Sequence, residues 1–301
     1  MTKLSIVIPA TDRPATLGRA VAAARRASEP SDELIVVDSP PNIGPAAARN
    51  RGAAEATGEV LVFVDADVEV HGDAFDRIRA AFDAAPELVG LFGSYDDAPE
   101  PGGVVSDFRN LLHHYVHQDG AGAATTFWAG LGAVRREPFA RAGGFDEARF
   151  REPSVEDIEL GMRLHAAGAR LSLDPSIQGK HLKRWTLRRM LATDLSRRGV
   201  PWLRLVLERR SATTALNLGW SQRLGAAASL ILVAACVRRN APLAVASLAL
   251  VLALDGEFYA LLLRRGGLRL ALAGVPLHVA HRLTAAAAVP IALTAVVARR
   301  A

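Results

Sequence analysis

Cysteine is nearly absent from this sequence: Cys236, inside an apolar stretch, is the one thiol in 301 residues. Neither a disulfide framework nor a zinc cluster built on cysteines can form within the chain. No targeting segment is expected at the amino terminus. Its only apolar run, Leu4 to Ile8, is stopped by Pro9, too short for a signal-peptide core and suited to a first β-strand. The expectation is that the first part of the chain starts in the cytosol. No internal repeat and no long low-complexity linker is present. Acidic residues almost vanish after residue 179: residues 1–179 carry 17 Lys and Arg against 27 Asp and Glu, residues 180–301 carry 19 against 4. Ten of those basic residues fall between Lys180 and Arg210, and the chain beyond is dominated by Ala, Leu and Val. A basic belt followed by apolar segments points to a membrane surface with anionic lipid as partner, and away from nucleic acid.

What the first part does have is Val60-Leu61-Val62-Phe63-Val64-Asp65-Ala66-Asp67, an unbroken apolar run ending in two carboxylates two residues apart. Such a run reads as a buried parallel strand, and residues i and i+2 of an extended chain face the same side. Open α/β sheets bind ligands beyond the carboxyl ends of their strands, where a hard cation held by both acids neutralises a diphosphate. A nucleotide-sugar is the leading candidate ligand.

Around this run the elements alternate. Strands are expected over Leu4–Ile8, Glu33–Val37, Val60–Val64 and Val89–Phe92, and helices over Thr16–Ala27, Ala46–Ala56 and Asp73–Ala84. That βαβα order predicts an α/β domain with a mostly parallel, Rossmann-like central sheet. Thr125–Val134, with Gly130 and Gly132, reads as a strand or loop close to a ligand or another backbone. A helix is expected over Asp157–Ala167, opened by a capping box at Ser154-Val155-Glu156-Asp157 and closed by Gly168.

Six pieces occur in an order that resembles the family 2 glycosyltransferases. They are Ser5-Ile6-Val7-Ile8-Pro9-Ala10, Ile35-Val36-Val37-Asp38-Ser39, Asn42 to Gly52, Asp65-Ala66-Asp67, Gly143-Gly144-Phe145-Asp146-Glu147 and Glu156-Asp157-Ile158-Glu159-Leu160. The resemblance covers roughly residues 4–185. It implies a GT-A fold and transfer from a nucleoside-diphosphate sugar with inversion at the anomeric carbon. By the same resemblance Pro9, Ala10 and Asp38 contact base or ribose, and Arg49 reaches donor phosphates. Asp65 touches ribose or metal-bound water, and Asp67 ligates Mg²⁺ or Mn²⁺. Asp157 matches the base that accepts the acceptor's proton, with Glu156 positioning the acceptor or bracing Asp157. A first-turn acid is expected to favour its ionised, proton-accepting form. Asp38 is followed by Ser39-Pro40-Pro41 where the family more often has a second acid and Gly-Ser, so base specificity is left open.

His181-Leu182-Lys183-Arg184-Trp185 resembles a variant of the Q-x-x-R-W element of membrane-bound members, with His in place of Gln. His181 is then a cation ligand or a diphosphate contact, Arg184 pairs with phosphate, and Trp185 stacks on a sugar face. Phe127, Trp128 and Gly130 fall where the family forms its acceptor pocket. These residues give three expected regions: a catalytic domain over 1–185, basic amphipathic interfacial helices over 186–220, and two or three transmembrane helices over 221–301. The function expected is single-displacement transfer to a lipid or lipid-linked glycan at the inner (plasma) membrane, with the catalytic domain cytoplasmic. A sugar-phosphate nucleotidyltransferase and a non-catalytic membrane scaffold are the alternatives. The first would carry a glycine-rich loop with Arg and Lys after strand one, which Pro9-Ala10-Thr11-Asp12-Arg13 does not provide.

Overall fold

The structure is a computed structural model that describes residues 2–100, 102–209 and 219–298. The chain divides into two compact units, residues 1–96 with 117–183, and residues 97–116 with 184–301.

The first unit carries β1 (Leu4–Pro9), α1 (Leu17–Ala27), β2 (Glu33–Val37), α2 (Pro45–Glu55), β3 (Val60–Val64), β4 (Val68–Val70), α3 (Ala74–Ala84) and β5 (Leu88–Tyr95). After α4 (Val104–Asp119), whose last residues belong here, follow β6 (Gly122–Ala124), β7 (Leu131–Arg135), α5 (Arg136–Arg141), α6 (Glu156–Ala166) and β8 (Arg170–His181). One sheet runs in the order β2-β1-β3-β7-β5-β8-β4, with β6 beside β8. All five residues of β3 are buried, as an apolar strand covered on both faces must be. The parallel character expected of the sheet is confined to β2-β1-β3 and to β5 beside β8, while β7, β4 and β6 pair antiparallel. The sheet is therefore mixed. After β5 the chain no longer returns through simple crossovers, which the alternation of the first 90 residues does not reveal.

Two parallel neighbours fix where the site forms. Pro9 lies opposite Val37 at the ends of β1 and β2, and Val7 lies opposite Phe63 of β3, so Pro9 ends β1 while Asp38 and Asp65 follow β2 and β3 on the same edge of the sheet. Gly44 opens α2 at φ 86°, and a Cβ there would stand 2.1 Å from the Arg151 carbonyl oxygen. Only glycine allows the loop before α6 to rest on the start of α2. Gly161 does the same for α6 itself, since a Cβ would meet the Phe127 nitrogen at 2.2 Å. The helix is thus pressed onto the backbone of Thr126 and Phe127. The expected Ser154 cap does not form. Val155 holds the cap position, and Glu156 Oε2 instead accepts from the Ser154 N–H at 2.8 Å.

The second unit is helical: the first part of α4, α7 (Leu187–Ala192), a π-helical segment (Thr193–Gly199), α8 (Val200–Glu208), α9 (Trp220–Val237), α10 (Ala241–Leu254) and α11 (Gly256–Ala298), broken at Gly267 where φ is 64°. Part of the expected interfacial region, residues 210–218, lies outside the described residues. Trp220–Val237 and Gly256–Ala298 are long and apolar enough to cross a membrane by length and composition. At 1.5 Å per residue, α9 is about 27 Å long. Asp255 and Arg282, both expensive in hydrocarbon, are buried and ion-paired with each other.

Gly161→Ala is expected to lower stability by about 1–3 kcal/mol through overpacking against Phe127. A thermal melt of the purified variant that matched the parent would contradict this packing.

Candidate active site

Four carboxylates meet in the first unit because one guanidinium holds two of them. Arg49, midway along α2 and 4% exposed, donates from Nη2 to Asp65 Oδ1 at 2.7 Å and from Nη1 to Glu156 Oε1 at 2.9 Å. The first partner follows β3; the second opens α6. The Phe145 ring lies under the guanidinium, 5.4 Å away. Arg49 is therefore buried between carboxylates, which it bridges. Burial works against its charge, but Asp65, Glu156 and Asp157 outweigh burial and raise its pKa further. A permanently charged fork suits this place, because a buried acid pair needs a cation that cannot neutralise itself.

Asp157 follows Glu156 directly. Its Oδ2 accepts from the Ala129 N–H at 3.1 Å and its Oδ1 from the Ile158 N–H at 2.8 Å. Burial and the neighbouring Glu156 charge push its pKa up to about 6, against the lowering pull of Arg49 and the two backbone donors. That is opposite to the direction expected from the helix dipole. A local dipole is outweighed by enclosure and a like charge. The carboxylate remains mostly ionised at neutral pH.

Asp67 lies on the other side of Asp65. Its carbonyl accepts from the Leu182 N–H at 2.8 Å and Val68 pairs with His181, so β4 and β8 carry Asp67 and His181 side by side. His181 Nε2 stands 3.5 Å from Asp67 Oδ2, and Lys183 Nζ 4.0 Å from the same oxygen. Burial would raise Asp67, but His181 and Lys183 hold it down to about 2. Asp65 is raised instead, by burial that Arg49 only partly offsets.

The donor set fits Mg²⁺ or Mn²⁺. Two ligands about 2.1 Å from an octahedral ion stand about 3 Å apart, close to the separation of His181 Nε2 and Asp67 Oδ2. Among the described residues no three His, Cys, Asp or Glu side chains form a closed cage. Asp67 and His181 would therefore hold a cation only together with phosphate or water ligands, as is common for Mg²⁺.

The loop of Gly143 to Glu147 is gripped from two helices. Asn50 of α2 accepts from the Phe145 N–H at 2.8 Å and donates to its carbonyl at 2.9 Å. Arg163 of α6 donates to the Gly144 carbonyl at 2.6 Å and to that of Ala142. Pro9 and Ala10 stand beside Val37, whose carbonyl accepts from the Ala10 N–H at 2.8 Å, and Asp38 is exposed next to them. Arg184 and Trp185 belong to the second unit. The Trp185 indole is enclosed there with Phe108 and Met190, with Arg109 over its ring at 5.8 Å, so it has no open face for a sugar. Sequence reasoning also assigned no role to Tyr95, whose ring stacks on His181. Lys183 lay inside a quoted motif and its basic side chain was the available signal.

Residues 39–142 match the profile described as "Glycosyl transferase family 2". The enzyme is a glycosyltransferase, and its similarity to this family covers about a third of the chain. The matched stretch contains Arg49, Asp65 and Asp67 and stops before Glu156. Among solved structures, the fold is similar to mannosyltransferase PcManGT from Pyrobaculum calidifontis, solved with GDP-Man and Mn²⁺. The identity is 19% and the TM-score 0.60, over 96% of this chain and 86% of that one. It is also similar to GalNAc-T7, solved with UDP, GalNAc and Mn²⁺, at 17% identity and TM-score 0.50. That match covers 69% of this chain and 48% of GalNAc-T7, about half its length. At such identities the likeness establishes the GT-A fold. No curated protein matches the sequence.

Removing the bridge should be costly. Arg49→Met is expected to destabilise the glycosyltransferase by about 3 kcal/mol, the low end for breaking a buried pair because the Asp65 side chain is 33% exposed. An unshifted melting transition for the variant would show that Arg49 is not the clamp described.

Proposed function

We propose that the enzyme transfers a sugar from a nucleoside diphosphate to a lipid or lipid-linked glycan by a single inverting displacement that needs Mg²⁺ or Mn²⁺. The observation that carries this reading is the Arg49 bridge, which ties the Asp65–Asp67 end of β3 to the Glu156–Asp157 start of α6 within one unit. Pro9, Ala10 and Asp38 would receive the nucleoside at the adjoining strand ends. Asp67 and His181 would hold the cation, which supplies positive charge to the departing diphosphate. Lys183, within reach of Asp67, adds a second positive charge on the same side.

Asp157 acts on the acceptor. The acceptor oxygen bonds to the anomeric carbon as the bond to the diphosphate oxygen breaks, and the hydroxyl proton passes to an Asp157 oxygen. The backbone N–H groups of Ala129 and Ile158 fix that carboxylate, so it meets the acceptor without rearranging. Glu156, held by Arg49 and the Ser154 N–H, braces the helix start. That both solved relatives carry Mn²⁺ with a nucleotide supports a cation and a nucleotide-sugar donor here.

A membrane acceptor is supported by the two long apolar helices and by the basic belt before them. Anchoring at the inner membrane, with the catalytic unit on the cytoplasmic side, places a soluble donor and a lipid acceptor within reach of one enzyme.

Asp157→Asn is expected to leave nucleotide-sugar binding within about twofold and to lower turnover by about 10²–10⁴-fold, the usual range for a lost general base. The base works only when ionised, so kcat/KM should fall as pH drops through about 6. Undiminished turnover in the variant, or a profile flat from pH 5 to pH 8, would refute Asp157 as the base.

A further inference from the structure

Tyr95 closes β5, three residues beyond Phe92 at the end of the apolar run Leu91–Phe92, and no step of the proposed transfer uses it. Its ring lies face to face with that of His181, with centroids 4.2 Å apart and planes 8° from parallel. The strand register makes this contact. β5 and β8 run parallel there, with Ser94 opposite Gln178 and Tyr95 opposite Gly179. His181 is two residues past Gly179, on the same face of the strand, and Gly179 has no side chain to come between the rings.

Tyr95 is itself held. The Trp128 ring meets it edge-on at 4.9 Å and 90°, and His117 meets Trp128 edge-on at 5.0 Å. His117 Nδ1 lies 2.9 Å from the Gly93 carbonyl oxygen, which ties the far end of this column back to β5. Stacked and edge-to-face contacts are the preferred geometries for aromatic rings, so each ring restricts the turning of the next.

What this restricts at His181 matters for the cation. The backbone pairing of Val68 with His181 places the residue beside Asp67 but does not by itself set its side-chain torsions. With one face covered by the phenol ring, the imidazole presents its Nε2 edge toward Asp67 Oδ2, 3.5 Å away. We infer that Tyr95 is a positioning residue that sets the plane of the His181 ring and so preorganises the Asp67–His181 pair for a divalent cation. The inference rests on the reading of His181 as a cation ligand, and it adds the residue that makes His181 a directed one. Partners that orient a ligating histidine commonly govern metal affinity by 10–100-fold.

The test is Mn²⁺ binding to the full chain in detergent, read from the electron paramagnetic resonance signal of the free ion, with GDP or UDP present at a fixed level. Parent, Tyr95→Phe, Tyr95→Leu and His181→Ala proteins are compared, each checked by thermal melting. Tyr95→Phe keeps the stacked ring and is expected to bind within about twofold of the parent. Tyr95→Leu removes the flat face and is expected to bind about tenfold more weakly. His181→Ala should lose at least as much. If His181→Ala weakens binding while a folded Tyr95→Leu binds like the parent, the positioning role is wrong and the cation reading stands. If His181→Ala binds like the parent, or the parent binds no Mn²⁺, the reading beneath falls and the inference with it. Equal loss in Tyr95→Phe and Tyr95→Leu would assign the effect to the hydroxyl and overturn the stacking role.

Discussion

A single buried guanidinium sets the geometry of the candidate site. Arg49 receives Asp65 from one side and Glu156 from the other, and the elements behind those acids are otherwise separate parts of the first unit. Without a cation between them, two carboxylates in a shielded place would repel one another, and one would take up a proton or the cleft would open. With it, β3 delivers Asp67 and α6 delivers Asp157 to the same region. The supporting contacts serve the same end: Gly44 and Gly161 allow close backbone approach, and Asn50 and Arg163 grip the loop before α6.

The two acids proposed to carry the chemistry are pushed in opposite directions. Asp67 lies beside His181 and Lys183 and stays ionised far into acid. Asp157 lies beside Glu156 in a shielded cleft and has a raised proton affinity. One environment suits a ligand for a hard cation. The other suits a group that must take a proton from an alcohol and remain mostly ionised near neutrality. On the proposed reading, a strand end and a helix start in one unit thus supply two carboxylates suited to different tasks.

Much of this was legible from local pattern. The five apolar residues of β3 and the acids after them announce a buried strand with a ligand edge, and the strand Glu33–Val37 has the bounds read from sequence. The family resemblance named Asp65, Asp67, Glu156, Asp157 and His181, and the structure gathers them in one unit. What local pattern does not carry is long-range pairing. Arg49 and Glu156 are 107 residues apart, so nothing near Arg49 marks it as a bridge. β5 reads as ending at Phe92 because Gly93 and Ser94 interrupt the apolar run, yet pairing with β8 extends it to Tyr95. Trp185 reads as a sugar platform by motif, but the indole finds a more favourable place among Phe108 and Met190. The raised proton affinity of Asp157 likewise depends on enclosure that no five-residue window contains.

The most direct measurement is a crystal structure of the enzyme grown with Mn²⁺ and GDP or UDP, with the ion located by its anomalous scattering. The expected result is an ion bonded to Asp67 and to the diphosphate, with Arg49 still joining Asp65 to Glu156 and the Asp157 carboxylate facing the cleft. An ion and diphosphate bound away from Asp67, or an Arg49 released from the acids and bonded to phosphate, would contradict the central claim.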